Sequence, residues 1–172
     1  MLRPFNGKHP RVGKNCFIAE NAVLIGDVTL GDNCSIWYGA VLRADMAPII
    51  LGDNCNIQDN CVVHVNSGLP AVLGDRVSVG HGAIVHGAKV EENSLIGMGA
   101  ILLDGAHIGR GCIVGAGALV AEHKEMPDHT LCVGVPARVA RELDPATEED
   151  RVKHAEYYKE LAAQYLLDEQ GE

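Results

Sequence analysis

The side chains best suited to chemistry in this chain are three histidines, His64, His81 and His86, with Asn56, Gln58 and Asp59 shortly before them and Arg43 and Asp45 earlier still. Neutral imidazoles bind a divalent transition metal at roughly 2.0–2.1 Å, and an ion held by only three of them keeps one coordination position open. Such an ion can lower the pKa of a bound water to about 7 and so supply a nucleophile near neutral pH. The carboxylates, amides and guanidinium suit the companion tasks of orienting ligands, hydrogen-bonding a reacting oxygen and pairing charges. Residues this scattered can act together only if the backbone brings them back at fixed intervals.

The chain has such an interval. A valine, isoleucine or leucine recurs every sixth residue: Val12, Ile18, Leu24, Leu30, Ile36 and Leu42, then Leu51, Ile57 and Val63, then Leu73, Val79 and Val85, then Val90, Ile96, Leu102, Ile108, Val114 and Val120. The step slips three times, to nine residues after Leu42, ten after Val63 and five after Val85, where a turn is enlarged or trimmed. Period six matches neither a helix nor a simple strand, so it describes a repeating supersecondary unit. Hexapeptides of this kind build a parallel β-helix. Each supplies one short strand and one corner, three complete a triangular coil, and the first residue of each points into a continuous aliphatic column. Eighteen repeats predict six coils.

The fifth position of each repeat sits at a tight corner and is expected to stay small: Cys16, Ala22, Val28, Cys34, Ala40, Cys55, Cys61, Ser67, Val77, Ala83, Ser94, Ala100, Ala106, Cys112 and Ala118. Five of the six cysteines fall in this series, which predicts small buried thiols rather than disulfides. Cys132 has no place in it. Gly31-Asp32-Asn33, Gly52-Asp53-Asn54 and Gly74-Asp75 follow inward positions and suit bends and positive φ. Their spacing belongs to the repeat, which argues against a phosphate-binding loop.

The repeat also sorts the candidate residues by face. Arg43, His64 and His86 each follow an inward residue, three repeats apart, on one face. Stacked strands lie about 4.8 Å apart, so His64 and His86 are predicted to project side by side and to be able to share one ion. The neighbouring face carries Trp37, Gln58 and Gly80 in second position and Tyr38, Asp59 and His81 in third, which puts His81 around a corner from the pair. If three prisms assemble about a threefold axis, the His64/His86 face of one meets the His81/Asp59 face of the next, and a metal would sit between subunits. Trp37 and Tyr38 are expected to pack against a neighbouring subunit. His9, His107, His123, His129 and His154 are expected to be ordinary solvated residues.

A formal net charge of -9 over 172 residues, without clustered Lys and Arg, argues against a nucleic-acid partner. No apolar run approaches the roughly twenty residues that span a bilayer, so no membrane partner is expected. Residues 1–13 lack a signal peptide's apolar stretch, so the expected location is cytoplasmic. The beat is expected to stop after Val120. Residues 1–125 then form a β-helix with an N-terminal lead-in, and residues 126–172 a turn-rich linker and a helix packed lengthwise on it, within one structural domain. Thr147 reads as the helix N-cap before Glu148, Glu149 and Asp150. Val152, Ala155, Tyr158, Leu161, Ala162, Tyr165 and Leu166 share one face of a helix from about 148 to 168.

His64 followed by Gly80-His81-Gly82-Ala83-Ile84-Val85-His86-Gly87, set in hexapeptide repeats with Arg43-Ala44-Asp45 and Asn56-Ile57-Gln58-Asp59, resembles the gamma-class carbonic anhydrases and their carbonic-anhydrase-like relatives over nearly the whole chain. The resemblance implies a left-handed β-helix and a homotrimer with zinc at its interfaces, bound by His64 and His86 of one chain and His81 of the next. Three imidazoles would suit iron or cobalt as well. It also implies reversible hydration of carbon dioxide to bicarbonate by metal-bound hydroxide. Gln58, positioned by Asn56, would hydrogen-bond the hydroxide or the substrate, while Asp59, Arg43 and Asp45 fix the interface. Prototype members carry acidic residues for proton release just after the Arg-x-Asp segment and on the loop after the first histidine. Here those places hold Met46 and the carboxylate-free residues 65–71, so slow catalysis is expected. Other readings on the same scaffold are hydrolysis of an acyl-CoA thioester at the same metal, coenzyme-A-dependent acyl transfer, and a non-catalytic assembly subunit.

Overall fold

Short strands separated by tight turns wind around a shared aliphatic column, and one long helix lies along a face of the resulting prism. The computed structural model, which describes residues 1–170, is a left-handed parallel β-helix. One face stacks Phe17–Ile18, Ser35–Ile36, Asn56–Ile57, Ser78–Val79, Leu95–Ile96, Ile113–Val114 and Thr130–Gly134 in parallel. The long strands Val23–Leu30 and Val41–Leu51 each run through two faces. Beyond them, one face continues through Val62–His64, Ile84–His86, Ile101–Leu102 and Leu119–Val120, and the other through Ala71–Leu73, Lys89–Val90, His107–Ile108 and Glu125–Met126.

From Leu24 to Val120 every inward residue of the six-residue series is at most 3% exposed. Val12 and Ile18 fall short, exposed and half-buried, because they belong to the first coil and have none beneath them. The beat does not stop at Val120. Met126 and Cys132 take the next two inward positions, at 2% and 0% exposure, and the stack reaches about seven turns rather than six. A methionine and a cysteine fill the column as small or adaptable apolar side chains, yet they are invisible to a pattern written for Val, Ile and Leu. Cys132 thereby gains its place. The expected linker is instead further sheet: Thr130–Gly134 turns back through Val135-Pro136 to pair antiparallel with Ala137–Glu142.

The corner series is buried except for half-buried Cys16 and exposed Ser67; Ser67 lies in an enlarged loop, and Ala71 takes the corner in its stead. The cysteines are free thiols. Those of the corner series donate to carbonyls of the next coil, Cys34 Sγ to Gly52 O at 3.1 Å and Cys55 Sγ to Gly74 O at 3.0 Å, and the Ser94 hydroxyl does the same to Gly109 O at 2.8 Å. Burial raises the Cys61 thiol to about 11, far from reactivity. Positive φ falls on Asn33 and Asn54, both at 57°, and not on the glycines before them. Gly31 serves close stacking: a Cβ there would lie 2.4 Å from Asp53 Oδ1.

A 3-10 turn, Pro145–Thr147, leads into the helix Glu148–Gln170. Asp144 caps this turn, accepting from Ala146 N at 2.9 Å, whereas the Thr147 hydroxyl donates to Asp144 O at 2.7 Å. The proline starts this turn, so the capping residue lies three residues before the expected Thr147. Ala155 and Ala162 are buried, and Tyr158, Leu161, Tyr165 and Leu166 pack on the core. Trp37 is not a subunit contact. It lies beneath this helix, its ring centroid 5.3 Å from that of Tyr165, 5.7 Å from Tyr158 and 5.1 Å from Phe17; Tyr38 joins the same cluster. Among the described residues no helix is long and apolar enough to cross a membrane.

Candidate metal centre

The parallel ladder sets His86 in register with His64, and His64 with Arg43. In-register residues on neighbouring strands point the same way, so the two imidazoles stand side by side with centroids 4.9 Å apart and His64 Nδ1 2.9 Å from His86 Nε2. A carboxylate occupies the other nitrogen of each ring. Asp45 Oδ1 lies 3.0 Å from His64 Nε2, and Asp104 Oδ1 lies 2.5 Å from His86 Nδ1. Ionised carboxylates only accept, so protons on these outer nitrogens leave the facing nitrogens as lone pairs. Asp45 also pairs with Arg43. Desolvation pushes its carboxyl up, but hydrogen bonds from His64 and Arg43 outweigh this and hold it below the usual range.

His81 comes from the turn after Ser78–Val79, on the neighbouring face. Its Nδ1 lies 2.8 Å from Asp59 Oδ2, and the ring is 47% exposed. Among the described residues no group of three or more His, Cys, Asp or Glu side chains within the chain can hold a metal. The structure thus brings His64, His86, Arg43 and Asp45 together and keeps His81 with Asp59 apart from them. The donor set fits a metal shared between chains: two converging imidazoles, a third presented to solvent, and a carboxylate behind each ring, the usual outer partner of a ligating histidine.

Gln58 is 4% exposed and fixed at both ends, donating Nε2 to Asn56 Oδ1 at 3.0 Å and accepting from His81 N at 3.2 Å. Asn56 in turn donates to Ser78 Oγ at 2.7 Å. Beside Gln58 and His81 runs a cleft of about 350 Å³ lined by Leu95, Ile96, Met98, Ile113, Val114, His154 and Tyr158. Burial lowers the His154 imidazole and raises the Tyr158 hydroxyl. His154 is therefore a half-buried lining residue and not a solvated one. His107 pairs with Glu91 at 3.0 Å. The helix side chains of the cleft and Asp104 had no motif to announce them, although the coil ruler sets Asp104 opposite Gly87, since Leu102 stacks on Val85.

A family model described as bacterial transferase hexapeptide (six repeats) matches residues 9–44 and 87–122. A carbonic anhydrase of Geobacillus kaustophilus is 43% identical over 171 residues, covering 95% of this chain and 94% of its own. Gamma carbonic anhydrase 2, a mitochondrial protein of Arabidopsis thaliana, is 43% identical over 92% of this chain, which spans 57% of that longer protein. A crystal structure from Bacillus cereus, provisionally named an acetyltransferase, superposes with a TM-score of 0.93 at 41% identity over 96% of both chains.

Proposed function

The chain belongs to the gamma-class carbonic anhydrase family of hexapeptide-repeat proteins, and from that premise we propose that it hydrates carbon dioxide reversibly to bicarbonate as a cytoplasmic homotrimer with zinc at its subunit interfaces. The observation that carries this reading is the side-by-side pair His64 and His86, lone pairs converging, with His81 exposed on the adjoining face. His64 and His86 of one chain and His81 of the next would hold the ion, which when bound makes water acidic enough to serve as a nucleophile near neutral pH. Iron or cobalt would suit the same donors.

The chain's own groups supply the rest. Asp45, Asp59 and Asp104 fix the three rings by their outer nitrogens. Gln58 spends one amide proton on Asn56 and keeps the second to hydrogen-bond a substrate oxygen. Because both of its ends are already tied, little reorganisation accompanies that contact. Arg43, paired with Asp45 yet 45% exposed, would reach a neighbouring subunit in such a trimer. Leu95 and Met98 beside His81 would give an apolar gas an apolar approach. Met46, 54% exposed, and the carboxylate-free residues 65–71 stand where the resemblance implies proton-accepting acids, and slow turnover is part of this proposal. A second reading, thioester hydrolysis at the same metal, is favoured by one feature: the cleft is roomier than carbon dioxide requires.

The test is stopped-flow carbon dioxide hydration by purified protein before and after metal removal by a chelator, with zinc, ferrous iron and cobalt added back. The expected result is activity lost on stripping and restored by at least one metal. Equal activity in the stripped protein, or hydration no faster than buffer with metal bound while a thioester is cleaved, would overturn the proposal.

A further inference from the structure

We propose that Asp104, steadied by Asn66, is a positioning residue that sets the tautomer and orientation of His86. This inference rests on the metal reading above. Asp104 presents one oxygen to His86 Nδ1, and its other oxygen accepts from Asn66 Nδ2 at 2.8 Å. A carboxylate whose second oxygen is already held by the Asn66 amide faces His86 as an acceptor. An acceptor at Nδ1 requires the proton of a neutral imidazole to sit there, which leaves Nε2 bare and facing His64. With no acceptor at that position the proton can move to Nε2, where it blocks the metal-facing lone pair and the ring loses its anchor.

The interruptions of the six-residue beat explain how this arrangement is built. The five-residue step after Val85 passes through Gly87, at φ 53°, where a Cβ would lie 2.7 Å from Asp104 Oδ1. A side chain there would obstruct the carboxylate's path to His86. The ten-residue step after Val63 forms the loop that carries Asn66, closed by reciprocal backbone hydrogen bonds between Asn66 and Leu69. The nine-residue step after Leu42 carries Asp45 to His64 Nε2. All three slips therefore converge on the two stacked histidines. Asp45 comes from the enlarged step itself, whereas Asp104 comes from a regular one and reaches His86 past Gly87, with the amide of Asn66 on its other oxygen.

The experiment uses the full-length protein and two readouts. Zinc affinity is measured by competition with a chromophoric chelator, and the His86 tautomer by ¹⁵N shifts of the ring nitrogens in metal-free protein. Asp104→Ala is expected to weaken zinc binding by roughly 10–100-fold and to move His86 from the Nδ1–H form to a mixture. Asp104→Asn, whose Oδ1 still accepts, should retain the tautomer and lose less affinity; Asn66→Ala should fall between. Asp104→Leu, of similar size but without an acceptor, is expected to show the same loss of affinity and the same tautomer mixture, and it carries the test if the alanine variant misfolds. Wild-type zinc affinity and an unchanged Nδ1–H tautomer in Asp104→Ala would overturn the positioning role while leaving the metal reading intact. Wild type that takes up no zinc would instead overturn the metal reading, and the tautomer shift would still decide whether Asp104 orients His86.

Discussion

Replacing His81 with alanine is expected to strip the protein of metal and to abolish carbon dioxide hydration while leaving the fold in place. A lost outer partner typically costs about 10–100-fold in metal affinity, and a lost ligand must cost more, so bound metal should fall below detection at micromolar protein. Measured against metal-stripped wild type, since bound metal itself raises the midpoint, stability should hardly move. The His81 ring is 47% exposed and Asp59, paired with it, is 36% exposed. Surface substitutions of this kind usually stay within about ±0.5 kcal/mol. Elemental analysis of the purified variant, paired with its urea midpoint, checks both halves. Normal metal content in the variant would remove His81 from the site.

Ile57→Ala should have the opposite profile, with stability falling first. Ile57 is fully buried in the column and lies between Asn56 and Gln58. Truncating such a side chain removes its transfer energy and leaves a cavity that stacked coils cannot close, a loss of about 2–5 kcal/mol. A one-dimensional stack propagates the defect to the neighbouring coils. Urea denaturation at one fixed protein concentration measures it, because subunit association feeds into the midpoint. Hydration should decline as well, since Gln58 is held through the strand that Ile57 anchors.

The coil and the histidine faces were legible because both follow from a period. Counting in sixes stacked His64 on His86 and moved His81 around a corner, and the register shows the same stacking. Where the chemistry of a position mattered more than its period, reading failed. Met126 and Cys132 continue the column with residue types outside the pattern, so the stack runs about one turn beyond the six that the pattern predicts. Trp37 sits at an outward position, and nothing in a period says that the chain's own helix covers that face. Asp104 belongs to no motif. Its role depends on Gly87 and on a loop whose excess length was visible but whose direction was not.

The central claim is that the metal lies between chains, and mixing two inactive variants tests it most directly. His81→Ala keeps the His64/His86 pair, and a His64→Ala/His86→Ala double variant keeps His81. Neither alone should bind zinc. Unfolded together and refolded, or co-expressed, they should form mixed trimers in which the intact pair of one chain faces the intact His81 of another, so zinc and hydration activity return together. Zinc bound by either variant alone, or none recovered in mixed trimers verified by mass spectrometry, would contradict the account.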